Sequence, residues 1–332
     1  MKKIESSVVK SQIKTKLKDI VVNHNYVFSL IIMLIIGAIA SPNFLSAANL
    51  IQLLRASTII GIIALGMTLV IISGNIDLSV GSILGFVAAI AVIVYNATGS
   101  ILLTLLFTLA FGLLLGLING FFVGKTHIAG FIVTLATMVS FRSLTVKLGE
   151  GGPLLMDNDL YYEGLRTIGY GKFLGIPYLG WIFILTTVIV WLVMTKTKFG
   201  RYVYAVGSNE KAAKLSGIKV DLVKVLVYGI AGLLSGLAAF LYISRFGSVD
   251  TSTAGSSFEL DAIAAVAIGG ASMAGGKGFI QGTFFGVIIL YSIDAILNAF
   301  GVSAFLIDFI KGMLILGAVL VQKSLNKNKE NE

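Results

Sequence analysis

Apolar residues fill long runs of this chain, and polar residues gather in the short stretches between them. A helix that crosses a bilayer needs about 20 consecutive apolar residues, within a range of roughly 17 to 25. About ten runs approach that length: 26–40, 50–73, 79–95, 101–123, 128–146, 178–194, 222–243, 260–273, 279–299 and 303–321. The first is short. The eighth is short and interrupted by glycine, which predicts a partial or re-entrant crossing. Two internal stretches break the pattern. One is 148–177, polar and rich in Gly, Tyr and acids. The other is GRYVYAVGSNEKAAKLSGIKV, residues 200–220, the longest internal run that lipid would not accept. The expected fold is an all-α polytopic membrane protein. A basic segment, 1–25, precedes the membrane domain, 26–321, and a short solvated tail, 322–332, follows it.

Composition supports this reading. Hydrophobic residues make up 57% of the 332 residues and charged residues only 12%, with a mean hydropathy of +0.96. Soluble domains carry about 25% charged residues. The net charge of +9 would suggest nucleic acid for a soluble protein. In a membrane protein it reads as lysines on cytoplasmic loops, with no nucleic-acid partner. The chain has no cysteine, which excludes disulfides and thiolate metal sites, and its two histidines, His24 and His127, lie far apart. No metal centre is expected.

Most of the 25 lysines and arginines fall on one side if both termini share it, including those of the N-terminal segment, of 196–224 and of the tail. Only Lys147, Arg166, Lys172 and Arg245 fall on the other side, and Arg55, Arg142 and Lys311 lie within spans. The positive-inside rule then places both termini and residues 200–220 in the cytoplasm, and 148–177 outside. Glycines recur every fourth residue at Gly112, Gly116, Gly120 and Gly124, at Gly278, Gly282 and Gly286, and at Gly232 and Gly236. That spacing puts them on one helix face and predicts close packing between helices of the same chain.

Two stretches come near a phosphate-binding loop and fail. In NGFFVGKT, residues 119–126, the glycine spacing is one residue short. In GGASMAGGKG, residues 269–278, no hydroxyl residue follows the lysine. This chain is expected to bind no ATP. Within SGNIDLSVGS, residues 73–82, Asn75 or Asp77 can cap the third span, and Asn75, Asp77 and Ser79 are candidates for a pathway or gate. An aspartate in lipid costs roughly 2.5–3.5 kcal/mol and needs compensation. Ser256 or Ser257 can cap the eighth span, with Glu259 and Asp261 in its first turn, where the helix dipole favours acids, and both acids are equally candidates for lining a pathway. Asp308 and Lys311 are three apart and can pair on one face. Asp294 has no local partner, so with Asn298 it becomes a pathway candidate.

Within 200–220, Ser208 or Asn209 caps a short helix and Gly217 ends it. Glu210 and Lys214 are spaced as a favourable pair. Lys211 and Ser216 add polar positions, and Ala212, Ala213, Leu215 and Ile218 an apolar patch. So short a helix is marginal alone and must pack on something, lipid or a partner.

Four motifs in order, SGNIDLSVGS, GFIVTLATMVSFRSLT (130–145), the 200–220 stretch and ELDAIAAVAIGGASMAGGKG (259–278), give the chain its likeness. It resembles the permease subunits of bacterial ABC sugar importers of the ribose type, from about residue 31 to 321. The resemblance implies a multi-pass protein of the bacterial inner membrane that moves a small sugar by alternating access. It implies a second permease copy, an extracytoplasmic solute-binding protein, and a cytoplasmic ATP-binding subunit that holds ATP and Mg and docks on residues Ser208–Gly217. The family usually has a second glycine where Asn75 stands, and often Asn-Asn-Gly where Ile293, Asp294 and Ala295 stand, while Gly301–Ser303 is kept. These departures leave the solute open. A sister permease for amino acids or nucleosides, or an ion-coupled carrier using Asp77 or Asp294, are the alternatives.

Overall fold

The computed structural model describes residues 25–313 and 316–317. The basic N-terminal segment, the end of the last expected span and the tail lie outside the described residues. The chain forms α1 (Asn25–Ala40), α2 (Ala47–Ile72), α3 (Val80–Thr98), α4 (Ile101–Lys125) and α5 (Gly130–Leu148). Strand β1 (Pro153–Leu155), a helical segment over 158–170 and the hairpin β2 (Lys172–Phe173)–β3 (Ile176–Pro177) follow. Then come α6 (Tyr178–Lys196), α7 (Lys198–Ser208), α8 (Glu210–Leu215), α9 (Val220–Phe246) and β4 (Ser248–Asp250). Helices α10 (Phe258–Ile268) and α11 (Ile280–Ala299) precede a final helical run described over 304–313. Among the described residues, seven helices, α2 to α6, α9 and α11, are long and apolar enough to cross a membrane.

The helix ends obey local chemistry. The Ser46 and Ser100 hydroxyls accept the Asn49 and Leu103 amides and so cap α2 and α4. Gly99 and Gly247, both left-handed, end α3 and α9. The eighth expected span, 260–273, is helical only over Phe258–Ile268. At 1.5 Å per residue that helix is about 16 Å long, roughly half a bilayer core.

Helix α2 occupies the centre, packed by α6, α9, α10 and α11, and 89% of its most apolar window is buried. Helix α5 is at the periphery, with 22% of its window buried. The glycine ladder of α4 meets α9. A methyl group at Gly112 would come within 2.5 Å of the Gly232 carbonyl oxygen, and one at Gly120 within 2.7 Å of the Val225 backbone. The expectation of packing within the chain is therefore met. Gly282 and Gly286 likewise face Gly269 and Ala265, whereas Gly278 lies in the turn before α11 rather than on it. Thr68 and Thr283 share a hydrogen bond of 2.7 Å between α2 and α11.

Residues 148–177 are more than a tether. β1 pairs antiparallel with β4, Leu154 opposite Val249. Thr251 donates to the Gly152 carbonyl at 2.8 Å, and Tyr161 to the Ser244 and Arg245 carbonyls at 3.3 Å. Tyr95 of α3 donates to Leu160. The segment thus forms a lid stitched to the ends of α3 and α9.

Candidate functional site

Three polar groupings interrupt the apolar bundle. The first surrounds the break between α2 and α3. Asp77 is fully buried. Its Oδ1 accepts the Ser79 amide at 2.8 Å and the Ser79 hydroxyl at 2.6 Å. The residue at the α3 N-cap is Ser79, not Asn75 or Asp77. Asp77 folds the turn that leads into it, and Asn75 instead donates to the Ser73 carbonyl. The Ser79 hydroxyl also accepts from Asn119 of α4, at 2.7 Å. Glu259 of α10 packs on the same turn: a methyl group at Gly81 would come within 2.6 Å of its Oε2. Oδ2 of Asp77, Oδ1 of Asn119 and Oε2 of Glu259 are buried without a hydrogen-bond partner among the described residues. The positive end of α3 lies beside Asp77, and the Arg142 guanidinium acts favourably on Glu259.

The second grouping joins α10, α11 and the final helical run. Lys311 of the final helical run is 2.9 Å from Asp294 of α11 and 3.7 Å from Asp261 of α10, all three largely buried. Asp294 does have a partner, and Lys311 reaches it across helices rather than Asp308 along its own. Asn298 stays outside this trio: it is exposed and donates to the Asp294 carbonyl one turn back. Beside the trio the chain from β4 to α10 is irregular. Ser257 has φ +64° and its side chain makes no cap, contrary to the expected serine cap. Ser256 and Ser257 are exposed, and Arg142, in the second half of α5, donates to the Gly255 carbonyl at 3.3 Å.

The third grouping is the pair α7–α8. The expected short helix is present. Asn209 is its N-cap, accepting the Ala212 amide at 2.9 Å, and Gly217, with φ +81°, follows its end. Glu210 reaches Lys224 of α9 at 2.9 Å instead of Lys214. Of the apolar patch, Ala213 is buried and Ile218 packs on the core, whereas Ala212 is exposed and Leu215 is 89% exposed. Ser208, Lys211, Lys214 and Ser216 are also exposed. The preceding helix α7, with Val203 and Val206 buried, had no expectation attached to it. Its signal was the apolar spacing of Phe199, Val203 and Val206 in an otherwise polar run. Burial raises the Tyr204 phenol above its ordinary range, so it remains a donor. The two near phosphate loops have other roles: NGFFVGKT closes α4, and GGASMAGGKG is the turn between α10 and α11.

Helices long enough to cross a membrane, one helix that stops half-way and buried charges gathered near it define a polytopic transport protein more readily than a catalyst. The family model described as "Branched-chain amino acid transport system / permease component" matches residues 49–319, and the chain belongs to that family. It is therefore a multi-pass membrane permease component. The ribose import permease protein RbsC of Bacillus subtilis is 48% identical over 294 residues, covering 89% of this chain and 90% of that one. The Escherichia coli ribose import permease is 39% identical, covering 88% and 91%. The Escherichia coli L-arabinose transport system permease AraH is 34% identical, covering 90% and 89%. No solved structure matches.

Proposed function

We propose that this chain is the membrane-spanning subunit of an ATP-driven bacterial importer for a small sugar, with a ribose-like pentose as the first candidate. The observation that carries this reading is the 48% identity to a ribose import permease along nearly the full length of both chains. A cytoplasmic ATPase subunit would hold ATP and Mg and dock on Ser208–Gly217, and an extracytoplasmic binding protein would deliver the sugar to the lid side. The exposed Leu215, carried on a charged helix whose position is fixed by Asn209 and Lys224, supports the docking role.

A second copy of the chain supplies the other half of the pathway. Irregular backbone is not tolerated facing lipid within the hydrocarbon core and survives only against protein or water. Ser256 and Ser257 are exposed beside Gly255, whose carbonyl accepts from Arg142 within the span of α5, which supports placing this face on a shared aqueous path. Glu259, Asp261 and Asp294 would then line or gate the path, with Asp77 and Ser79 on the turn against which Glu259 packs.

The test is uptake into proteoliposomes holding the whole assembly. ATP-dependent ribose uptake that a protonophore leaves unchanged is expected. Uptake of leucine or a nucleoside in preference to pentoses would replace the solute. Proton-driven uptake without an ATPase would overturn the reading altogether.

A further inference from the structure

The short helix α8 meets the bundle through Ala213, the one buried residue of its six, and through the Glu210–Lys224 pair to α9. Neither contact reaches α2 or α10. Helix α7 does reach the core, and it does so backbone to backbone. A methyl group at Gly207 would overlap the Ile72 carbonyl at the end of α2 and lie 2.8 Å from the Gly276 nitrogen. Gly276 itself donates its amide to that same Ile72 carbonyl, at 2.9 Å. Gly275 lies against Gly207 and Gly74, and Gly276 against Ser208. One turn earlier on α7, Tyr204 donates its hydroxyl to the Gly278 carbonyl at 2.8 Å.

Four segments therefore meet at one point: the end of α2, its following turn, the end of α7 and the turn between α10 and α11. Glycine at each contact removes the side chains that would otherwise yield. The receiving turn is itself stiff. Ser272 donates to the Lys277 carbonyl, Gly275 to the Ser272 carbonyl, and Ala274 to the Ser272 hydroxyl. Packed contacts of this kind switch between arrangements rather than deform smoothly.

We propose that Tyr204, Gly207 and the Gly275–Gly276 turn form the joint through which movement of α7–α8 reaches the core helix α2 and the broken helix α10. Tyr204 is the positioning residue of this joint, because its side-chain hydroxyl hydrogen-bonds the receiving turn just before α11. The proposal rests on the reading of Ser208–Gly217 as the ATPase-docking segment, and it adds what lies between that segment and the pathway.

The test compares Tyr204→Phe, Gly207→Ala and Leu215→Asp in the reconstituted complete transporter, measuring sugar transported per ATP hydrolysed. Tyr204→Phe keeps the packing and removes one hydrogen bond. It is expected to lower the transport-to-hydrolysis ratio roughly fivefold while stimulated hydrolysis persists. Gly207→Ala is expected to lower the ratio further. If it fails to assemble, Tyr204→Phe alone decides. Leu215→Asp is expected to abolish stimulation of hydrolysis, since it strikes docking itself. An unchanged ratio in Tyr204→Phe overturns the joint, and so does a parallel fall of transport and hydrolysis. Normal stimulation and transport in Leu215→Asp would instead sink the docking reading.

Discussion

Helices α9 and α10 follow one another in the chain and cross the bundle in opposite styles. Helix α9 is continuous over 27 residues, and its charges lie near its ends, at Asp221, Lys224 and Arg245. Its middle offers Gly229, Gly232 and Gly236 to the helices beside it. Helix α10 covers 11 residues after an irregular stretch and gathers Glu259, Asp261, Asp294, Lys311 and Arg142 around it. The first seam is built for rigidity and spends no charge. The second takes on the cost of buried charge and irregular backbone, which a membrane protein tolerates only where protein or water compensates. The contrast separates a scaffold from a working element.

The comparison can be broken at its rigid end first. Gly232→Leu forces a side chain into the α4 backbone, and overpacking of this kind has no flexible neighbour to move. We expect at least roughly tenfold less folded protein in the membrane, read by detergent solubilisation and size exclusion. Normal yield and stability would show that the seam is not a scaffold. At the working end, Lys311→Ala leaves two acids without their cation. Breaking a buried pair costs about 3–5 kcal/mol, so a marked fall in thermal stability is expected. Lys311→Met with Asp294→Asn restores the net charge of the trio and should recover most of that stability, yet not transport. Full transport by the double variant would reduce the trio to a structural pin. The smallest effect belongs to the pair Lys125–Asp221, 3.9 Å apart and exposed on both sides. Lys125→Ala should leave stability and transport within error, as exposed pairs contribute little.

Much of the scaffold was legible in the chain alone. Apolar run length located the crossing helices, because lipid enforces it residue by residue, and four-residue glycine spacing located the α4–α9 seam. The Asn209 cap and the Gly217 stop were equally local and equally readable. What escaped required contacts between distant segments. Asp294 was unpaired by sequence because its partner is Lys311, on another helix, and local spacing favoured Asp308 for that lysine. Glu210 passed over Lys214, four residues on, for Lys224, since the turn at Gly217 brings α9 alongside. The serines expected to cap α10 could not do so once the chain entered it in a left-handed conformation at Ser257. An intramembrane acid without a local mate is itself a signal, and testing it against the nearest intramembrane cation in the chain would have found Lys311.

The lid over the end of the bundle bears on the order in which the protein is made. The Thr251 hydroxyl and the Gly152 carbonyl it bonds are 99 residues apart in the chain, and β1 waits equally long for β4. At a synthesis rate of about 5–20 residues per second, that wait is roughly 5–20 s. During it, α6, α7, α8 and α9 must emerge, and both α6 and α9 must insert. The β1–β4 ladder is therefore a late event in biogenesis, and its formation marks a chain whose preceding helices have all reached the membrane.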